Sequence, residues 1–457
     1  MYLGIFGILL SLVMLMYLAY KGMSVIWLAP ILALVAAMFS VGTPLMASFT
    51  EVFMSSAANY VKLYFPAFLL GAIFGKVMDA SGAAKSIAEV ITKKIGATNS
   101  ILAVVLAVSV LTYGGVSMFV VVFAVYPIAA DIFRRNDVPK RLIPGSIALG
   151  SFTYTMTALP GSPQIQNTIA MPFFGTTAYA APMLGIIASV VMFGLGMLWL
   201  KRRESIAKEN GEGYGVHIEK RNEADGADLP SATLAFIPIV IVLALNFIIV
   251  TFYYPNIDTS YLSDYGVTLS KVNGMWSLII ALTTAIVVAI ALFHKYMPNV
   301  KQIINEGSLD SVMPIMNTAA AVGFGNVIKS LAAFVVIKQL ILAIPGTPLL
   351  SFALSTSLLA GITGSASGGL SIALDALGQT YIQQASELGI SLEVLHRIAS
   401  IACGGLDSLP HNGAVITLLA ICGMTHRESY KDIFVCTLFI PIIATGVTLV
   451  FAVMGVV

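Results

Sequence analysis

The chain is 457 residues long, 58% hydrophobic and only 10% charged, with a net charge of +2 and a mean hydropathy of +0.93. Soluble domains carry about 45–50% apolar and about 25% charged residues, so a single soluble core is excluded, and so small a net charge gives nucleic-acid binding no support. The three cysteines, Cys403, Cys422 and Cys436, are an odd count without metal-ligand spacing; they argue against a disulfide framework or a zinc site, and no cofactor is expected.

Taken from the N-terminus, apolar runs at Tyr2–Tyr20 and Ser24–Ser40 are each long enough to read as membrane-spanning helices. The first lacks a basic stretch before it, with Lys21 following instead, and is read as a retained span. A third, glycine-rich span closes at Lys76 and Asp79, both expected at an interface. An amphipathic segment carrying Lys85, Lys93 and Lys94 comes next, then an interrupted apolar pair over 99–133. A broken span over 142–180 and a closing span from Pro182 to Leu200 complete the first half. Polar, glycine-containing residues 201–230 read as a cytoplasmic linker.

The second half, 231–457, repeats the order of the first, 1–200. Apolar runs at Ala232–Phe252 and Trp276–Phe293 precede a glycine-rich span. A second interrupted pair covers 348–384, a second broken span 395–425, and Ile433–Val457 closes the chain. A constant offset of 250 residues sets Phe74-Gly75 on Phe324-Gly325, Gly114 on Gly364, Ser117 on Ser367, and Leu159-Pro160 on Leu409-Pro410. Placing most Lys and Arg clusters in the cytoplasm leaves both termini outside and gives each repeat about five spans. The predicted fold class is therefore an all-α polytopic protein of a bacterial inner membrane. Its two repeats run in opposite directions, a plan used by many secondary transporters. Lys329, Lys338 and Arg397 then fall on the outer side, against the charge rule.

The helix breakers mark the expected site. Unpaired backbone groups in lipid cost several kcal/mol, so such breaks survive where protein covers them or a watery cavity touches them. The first break, Pro160-Gly161-Ser162-Pro163-Gln164-Ile165-Gln166-Asn167-Thr168, offers amides and the side chains of Ser162, Gln164, Gln166, Asn167 and Thr168 to carboxylate and hydroxyl oxygens. The second, Asp407-Ser408-Leu409-Pro410-His411-Asn412-Gly413, puts Asp407 and His411 four residues apart. His411 reads as a proton carrier or as a structural histidine, Asp407 as a coupling group or a backbone cap. The hairpin tips add Thr112, Tyr113, Gly114, Gly115 and Ser117 on one side, and Thr363, Gly364, Ser365 and Ser367 on the other. The two tips are expected to meet near the midplane. Asp375 reads as a cap or pair, and Asn317 and Asn326 as packing residues. With no arginine expected at the midplane, amides and hydroxyls favour a small organic monoanion over a multiply charged one.

These motifs resemble the gluconate permease family of the ion-transporter superfamily. The resemblance covers nearly the whole chain and is strongest at Leu111–Ser117, Leu159–Pro163, Thr363–Ala366 and Pro410–Gly413. The family's first hairpin usually carries an acidic residue and a proline beside its glycine, where this chain has Tyr113–Ser117. Lys62–Pro66 and Gln164–Asn167 resemble the 3-hydroxybutyrate or short hydroxy-acid branch more closely. What the resemblance implies is proton symport of a hydroxy-monocarboxylate by an elevator-type homodimer within the lipid bilayer. Sodium coupling remains the nearest variant. A channel is a further alternative. An intramembrane enzyme is disfavoured, because His217, His294, His396, His411 and His426 are scattered.

Overall fold

The computed structural model describes residues 2–21, 23–96, 98–217, 229–344, 347–410 and 412–457. Among them there is no strand. Among the described residues six helices are long and apolar enough to cross a membrane: Leu45–Ala80 (α3), Pro182–Glu209 (α8), Ala232–Asn256 (α9), Leu269–Tyr296 (α10), Val300–Ser330 (α11) and His426–Val453 (α17). Between and before them lie α1 (Tyr2–Tyr20), α2 (Val25–Met38), α4 (Ala83–Ile95), α5 (Ser100–Tyr113), α6 (Met118–Arg135) and α7 (Leu142–Ser151). The second half adds α12 (Phe334–Leu342), α13 (Pro348–Thr363), α14 (Ala366–Leu388), α15 (Leu392–Cys403) and α16 (Gly413–Cys422).

Helix α4 is amphipathic, as its sequence requires: Ala84, Ile87 and Ala88 are buried while Lys93 pairs with Glu89 on the opposite face. Three π-helical turns interrupt the long helices, at Ser48–Met54, Ile249–Tyr253 and Val435–Phe439. The last two sit just ahead of Pro255 and Pro441, whose rings clash with the carbonyl four residues back and force the ladder to widen. The first has no proline to account for it.

The two interrupted pairs fold as helical hairpins. Gly115, at φ 93°, turns the first. Gly364, at φ 60°, ends α13, and the Ser365 side chain caps the start of α14 by accepting from Gly368 N at 3.2 Å. The arms of the second hairpin cross tightly. A Cβ on Gly369 would lie 2.2 Å from the Ala360 backbone, so only glycine fits there.

Helix α2 packs on α11 and α1 on α2, with Ile8, Leu28, Leu32, Phe324 and Val327 in one apolar core. Helices α3 and α11 lie against each other, joined near one end by the ion pair Lys76–Glu306 at 3.0 Å. Lys76 was expected at an interface on its own. The linker begins later than its composition suggests, because α8 runs on to Glu209. Lys208 pairs with Glu204 along it, and Arg203 and Trp199 both donate to the buried Asp432 of α17. Asp432 also accepts from Arg141 at 3.4 Å, which ties the closing helices of both halves to the start of α7. Most of the remaining linker, 218–228, lies outside the described residues, as does His411.

Candidate functional site

Helix α7 ends at Ser151, and the chain stays irregular until Ile165 apart from one turn at Tyr154–Thr157. Pro160 and Pro163 bracket Gly161, whose φ of 79° suits glycine and whose position leaves no room beside the Tyr179 ring. No residue of 152–165 is exposed, so every polar group in this break needs a partner.

Some of those partners, and those of the segment that follows the break, come from α15, in the other half of the chain. Arg397 is 0% exposed. Its guanidinium donates to Ala180 O from Nε (2.9 Å) and Nη2 (2.7 Å), to Ala178 O at 3.1 Å, to Ala158 O at 3.1 Å and to Asn167 Oδ1 at 3.1 Å. These acceptors are neutral carbonyls, so the bonds satisfy the unwound backbone without cancelling the charge. Counting charges along the sequence set Arg397 on the outer side as an exception to the charge rule; the structure buries it inside the protein, because the backbone of the break has orphaned carbonyls that only a forked donor can reach together. The flanking His396 donates from Nε2 to Asn167 Oδ1 at 3.1 Å, and its Nδ1 meets Thr176 Oγ1 at 2.6 Å. Ser400 donates to Thr157 O at 2.7 Å.

The expected binding residues of the first half form one bonded network. Asn167 donates to Ser162 O (2.8 Å) and Ala178 O (3.0 Å) and accepts from Arg397 and His396, so its amide is fully used within the protein. Ser162 donates to Thr155 O at 2.6 Å, and Thr168 to Ile165 O at 3.2 Å. The tip of the first hairpin is sewn to the break: Tyr113 donates to Pro160 O at 2.7 Å, and Gln164 to Thr112 O at 2.6 Å and Val116 O at 3.3 Å. Gly114 packs on Ile239, Gly115 faces Pro163, and the Ser117 backbone lies close to Gly75. Two buried polar atoms here have no partner, Thr112 Oγ1 and Gln166 Oε1.

The second break is looser. Asn412 caps α16 by accepting from Ala414 N (2.6 Å) and Val415 N (3.0 Å), and donates to Asp407 O (2.9 Å) and to the hairpin carbonyl Gly364 O (3.0 Å). Asp407 is half-buried and accepts from Ser408 Oγ at 3.0 Å. Pro410 and Gly413 are exposed. At the second tip Thr363 bonds Leu359 O and Ser365 O, Ser365 Oγ lies 3.2 Å from Ser367 Oγ, and Ser367 reaches Thr318 at 3.5 Å. The two sets of residues approach where the turn Ile165–Thr168 packs against α14. Among the described residues no hydrogen bond joins one set to the other.

Sequence reasoning missed a third locale. A cavity of about 140 Å³ opens between α3, α11 and α14, with Phe173 of the first half at its wall. Tyr60, Asn326, Ser371 and Asp375 line it. The signal was a lone carboxylate in the middle of an otherwise uncharged hairpin arm. For Arg397 the signal was its position as an exception to the charge rule.

Comparison with known proteins agrees with this architecture. The model of the Na+/H+ antiporter family matches residues 147–456. The chain is 45% identical over 468 aligned residues to the uncharacterized transporter YxjC of Bacillus subtilis, covering 98% of this chain and 99% of that protein. A 179-residue stretch, 39% of this chain and 40% of its counterpart, is 32% identical to an uncharacterized transporter of Haemophilus influenzae. The fold is similar to the crystal structure of the Alcanivorax borkumensis YdaH transporter, described as having an unusual topology, with a TM-score of 0.59 and 16% identity over 96% of this chain and 98% of that one. The chain therefore belongs to the Na+/H+ antiporter family and is a multi-pass membrane transporter.

Proposed function

We propose that the protein is a secondary carrier for a small hydroxy-monocarboxylate, of the 3-hydroxybutyrate or gluconate type, imported together with a proton. The observation that carries this reading is Arg397. It is buried at the first break and bonded only to neutral oxygens. The Glu393 carboxylate lies near it but is bonded to Ala181 N rather than to the guanidinium, and a positive charge so incompletely paired in a low-dielectric interior attracts an anion. Its carbonyl partners cannot be exchanged for substrate oxygens without reopening the break, so Arg397 acts as a fixed field behind the site. Contact with substrate falls instead to groups with spare capacity: Thr112, Gln166, the Ser117 and Ser367 hydroxyls, and the exposed start of α16 at Gly413. Asp407 and His411 are the proposed coupling pair.

Two repeats in opposite orientation suit this carrier, with residues 1–200 and 231–457 as the halves and the hairpins with the broken helices as the moving part. The helix order supports it: α3 to α7 pair with α11 to α15 at the 250-residue offset, and both breaks fall in register. The gluconate permease resemblance and a homodimeric, elevator-type movement belong to the same proposal.

Counterflow in proteoliposomes tests it. Labelled 3-hydroxybutyrate should accumulate transiently against preloaded unlabelled substrate, as in a carrier and not in a channel. Net uptake should follow an inward proton gradient. Uptake that needs a sodium gradient at fixed pH, and ignores a pH gradient, removes the proton step. The second reading, sodium coupling, is favoured by one observation, the oxygen-lined cavity at Asp375.

A further inference from the structure

We propose that residues 212–217, just past the end of α8, form a strap that splints the base of the first hairpin and sets how readily that hairpin swings on α7. The proposal rests on reading the first hairpin as part of the moving unit of a carrier.

The outgoing arm of the hairpin, α6, ends at Arg135, and α7 starts at Leu142. Residues 136–141 join them, so a change in the angle between hairpin and broken helix falls on this turn. The strap grips it at three points. Before the turn, the Arg134 guanidinium lies over the Tyr214 ring, 5.4 Å from its centre. Within the turn, Asp137 Oδ1 accepts from Tyr214 N at 2.9 Å. At its far end, Arg141 donates to both Glu212 oxygens, from Nε at 2.5 Å and from Nη2 at 2.7 Å. Anchors on both sides of one turn resist rotation about it, whereas a linker that merely passes needs none of them.

The strap is shaped for this place. Tyr214 is 6% exposed, and the His217 ring meets it edge-on at 5.6 Å while His217 Nε2 lies 3.1 Å from Tyr214 O. A Cβ on Gly213 would stand 2.3 Å from Asp137 Oδ1, so glycine is what allows the close approach. Asp137 itself holds a φ of 50°, a region that side-chain-bearing residues enter at a cost. Strain of this kind collects at parts that switch. At the 250-residue offset Arg134 and Arg141 fall on Gln384 and Ser391. Neither arginine recurs there, so the hairpin fold by itself does not require them.

Beneath the splinted turn lies the end of α16. Tyr126 of α6 donates to Cys422 O at 3.2 Å, and Lys140 of the turn is buried over the Tyr126 ring, 5.7 Å from its centre. The base of the hairpin is tied within itself, because Asn136 donates to Gly96 O and Ser100 Oγ at the start of the other arm. The hairpin can therefore tilt as one body, and a tilt would part Tyr126 from α16 and uncover Cys422. That thiol is 0% exposed, as are Cys403 and Cys436, which lie elsewhere and report the state of the whole fold.

Alkylation by N-ethylmaleimide of the purified protein in lipid nanodiscs, quantified at each cysteine by mass spectrometry, reads this motion without any substrate. Tyr214→Ala should speed modification of Cys422 about tenfold and leave Cys403 and Cys436 at their wild-type rates. Tyr214→Phe, which keeps the ring over Arg134, should stay close to wild type. Glu212→Gln removes one exposed anchor and should speed Cys422 about threefold; it carries the test alone if Tyr214→Ala does not fold. Unchanged Cys422 rates in the variants, or a rise shared by all three cysteines, would overturn the proposal. Faster Cys422 modification beside failed 3-hydroxybutyrate counterflow would keep the strap and sink the carrier reading; unchanged modification beside active counterflow would do the reverse.

Discussion

At the first break a cation from the opposite half fills the irregular backbone, every residue of 152–165 is buried or half-buried, and hairpin tip and break are bonded at Tyr113 and Gln164. At the second break no arginine arrives among the described residues, Pro410 and Gly413 are exposed, Asn412 bonds Gly364 O of the hairpin, and Tyr430 and His426 of α17 bond Ser408 O and Pro410 O. The two segments occupy matching positions in the sequence, yet the first is held by a buried guanidinium and the second by neutral side chains at its edges. Pseudo-symmetry of helix order therefore does not imply equal mobility.

The sharpest way to break that contrast is to exchange the expected consequences. Arg397→Met removes five hydrogen bonds and leaves buried carbonyls without donors. It should cost about 3–5 kcal/mol, enough to abolish folded protein by size-exclusion chromatography. Asp407→Asn should instead leave the unfolding temperature within a few degrees of wild type while gradient-driven accumulation drops at least about tenfold. A folded Arg397→Met or an unfolded Asp407→Asn would erase the distinction.

A smaller effect sharpens it within one hairpin and its neighbour. Gly369→Ala forces a Cβ into the Ala360 backbone and should cost about 1–3 kcal/mol. Gly413→Ala meets nothing within 4 Å and should change stability by less than about 1 kcal/mol, as measured by chemical denaturation.

The smallest expected effect lies outside the membrane-spanning segments. Arg141 holds the Glu212 carboxyl below the usual glutamate range, chiefly through their hydrogen bond. A depressed carboxyl stabilises the fold above its unfolded value and loses that contribution as pH falls through the folded one. The stabilisation should therefore be full at neutral pH and fade only under acid conditions. The Glu212 carboxylate is exposed to solvent although Arg141 is mostly covered, so Glu212→Gln should cost well under about 1 kcal/mol at pH 7 and nothing once the carboxyl is protonated, which melting curves across pH would register.

Helix order and both hairpins were legible because their signals are local: apolar length, glycine at the tips, proline at the breaks. The hairpin boundaries of 99–133 and 348–384 differ from the observed arms by a few residues. What the sequence hid was pairing across distance. Nothing local says that Arg397 serves carbonyls at Ala158, Ala178 and Ala180, and a charge count reads it only as a misplaced cation. Asn167 looked like a ligand because polar groups at membrane depth are uncommon, but its amide is consumed by its own break and by α15. Asp375 and Asn326 looked like caps and packing because each is unremarkable alone. They bond to each other across 49 residues of chain.

The dependence of the first break on Arg397 also bears on how the chain is made. Ala180 precedes its donor by 217 residues, so the N-terminal half enters the bilayer before the guanidinium that will satisfy it has been translated. Until α15 arrives, those carbonyls must be served by water or by the insertion machinery. The first half is then a client in waiting, and truncation before residue 397 should yield a product that the cell's membrane proteases recognise as unfinished.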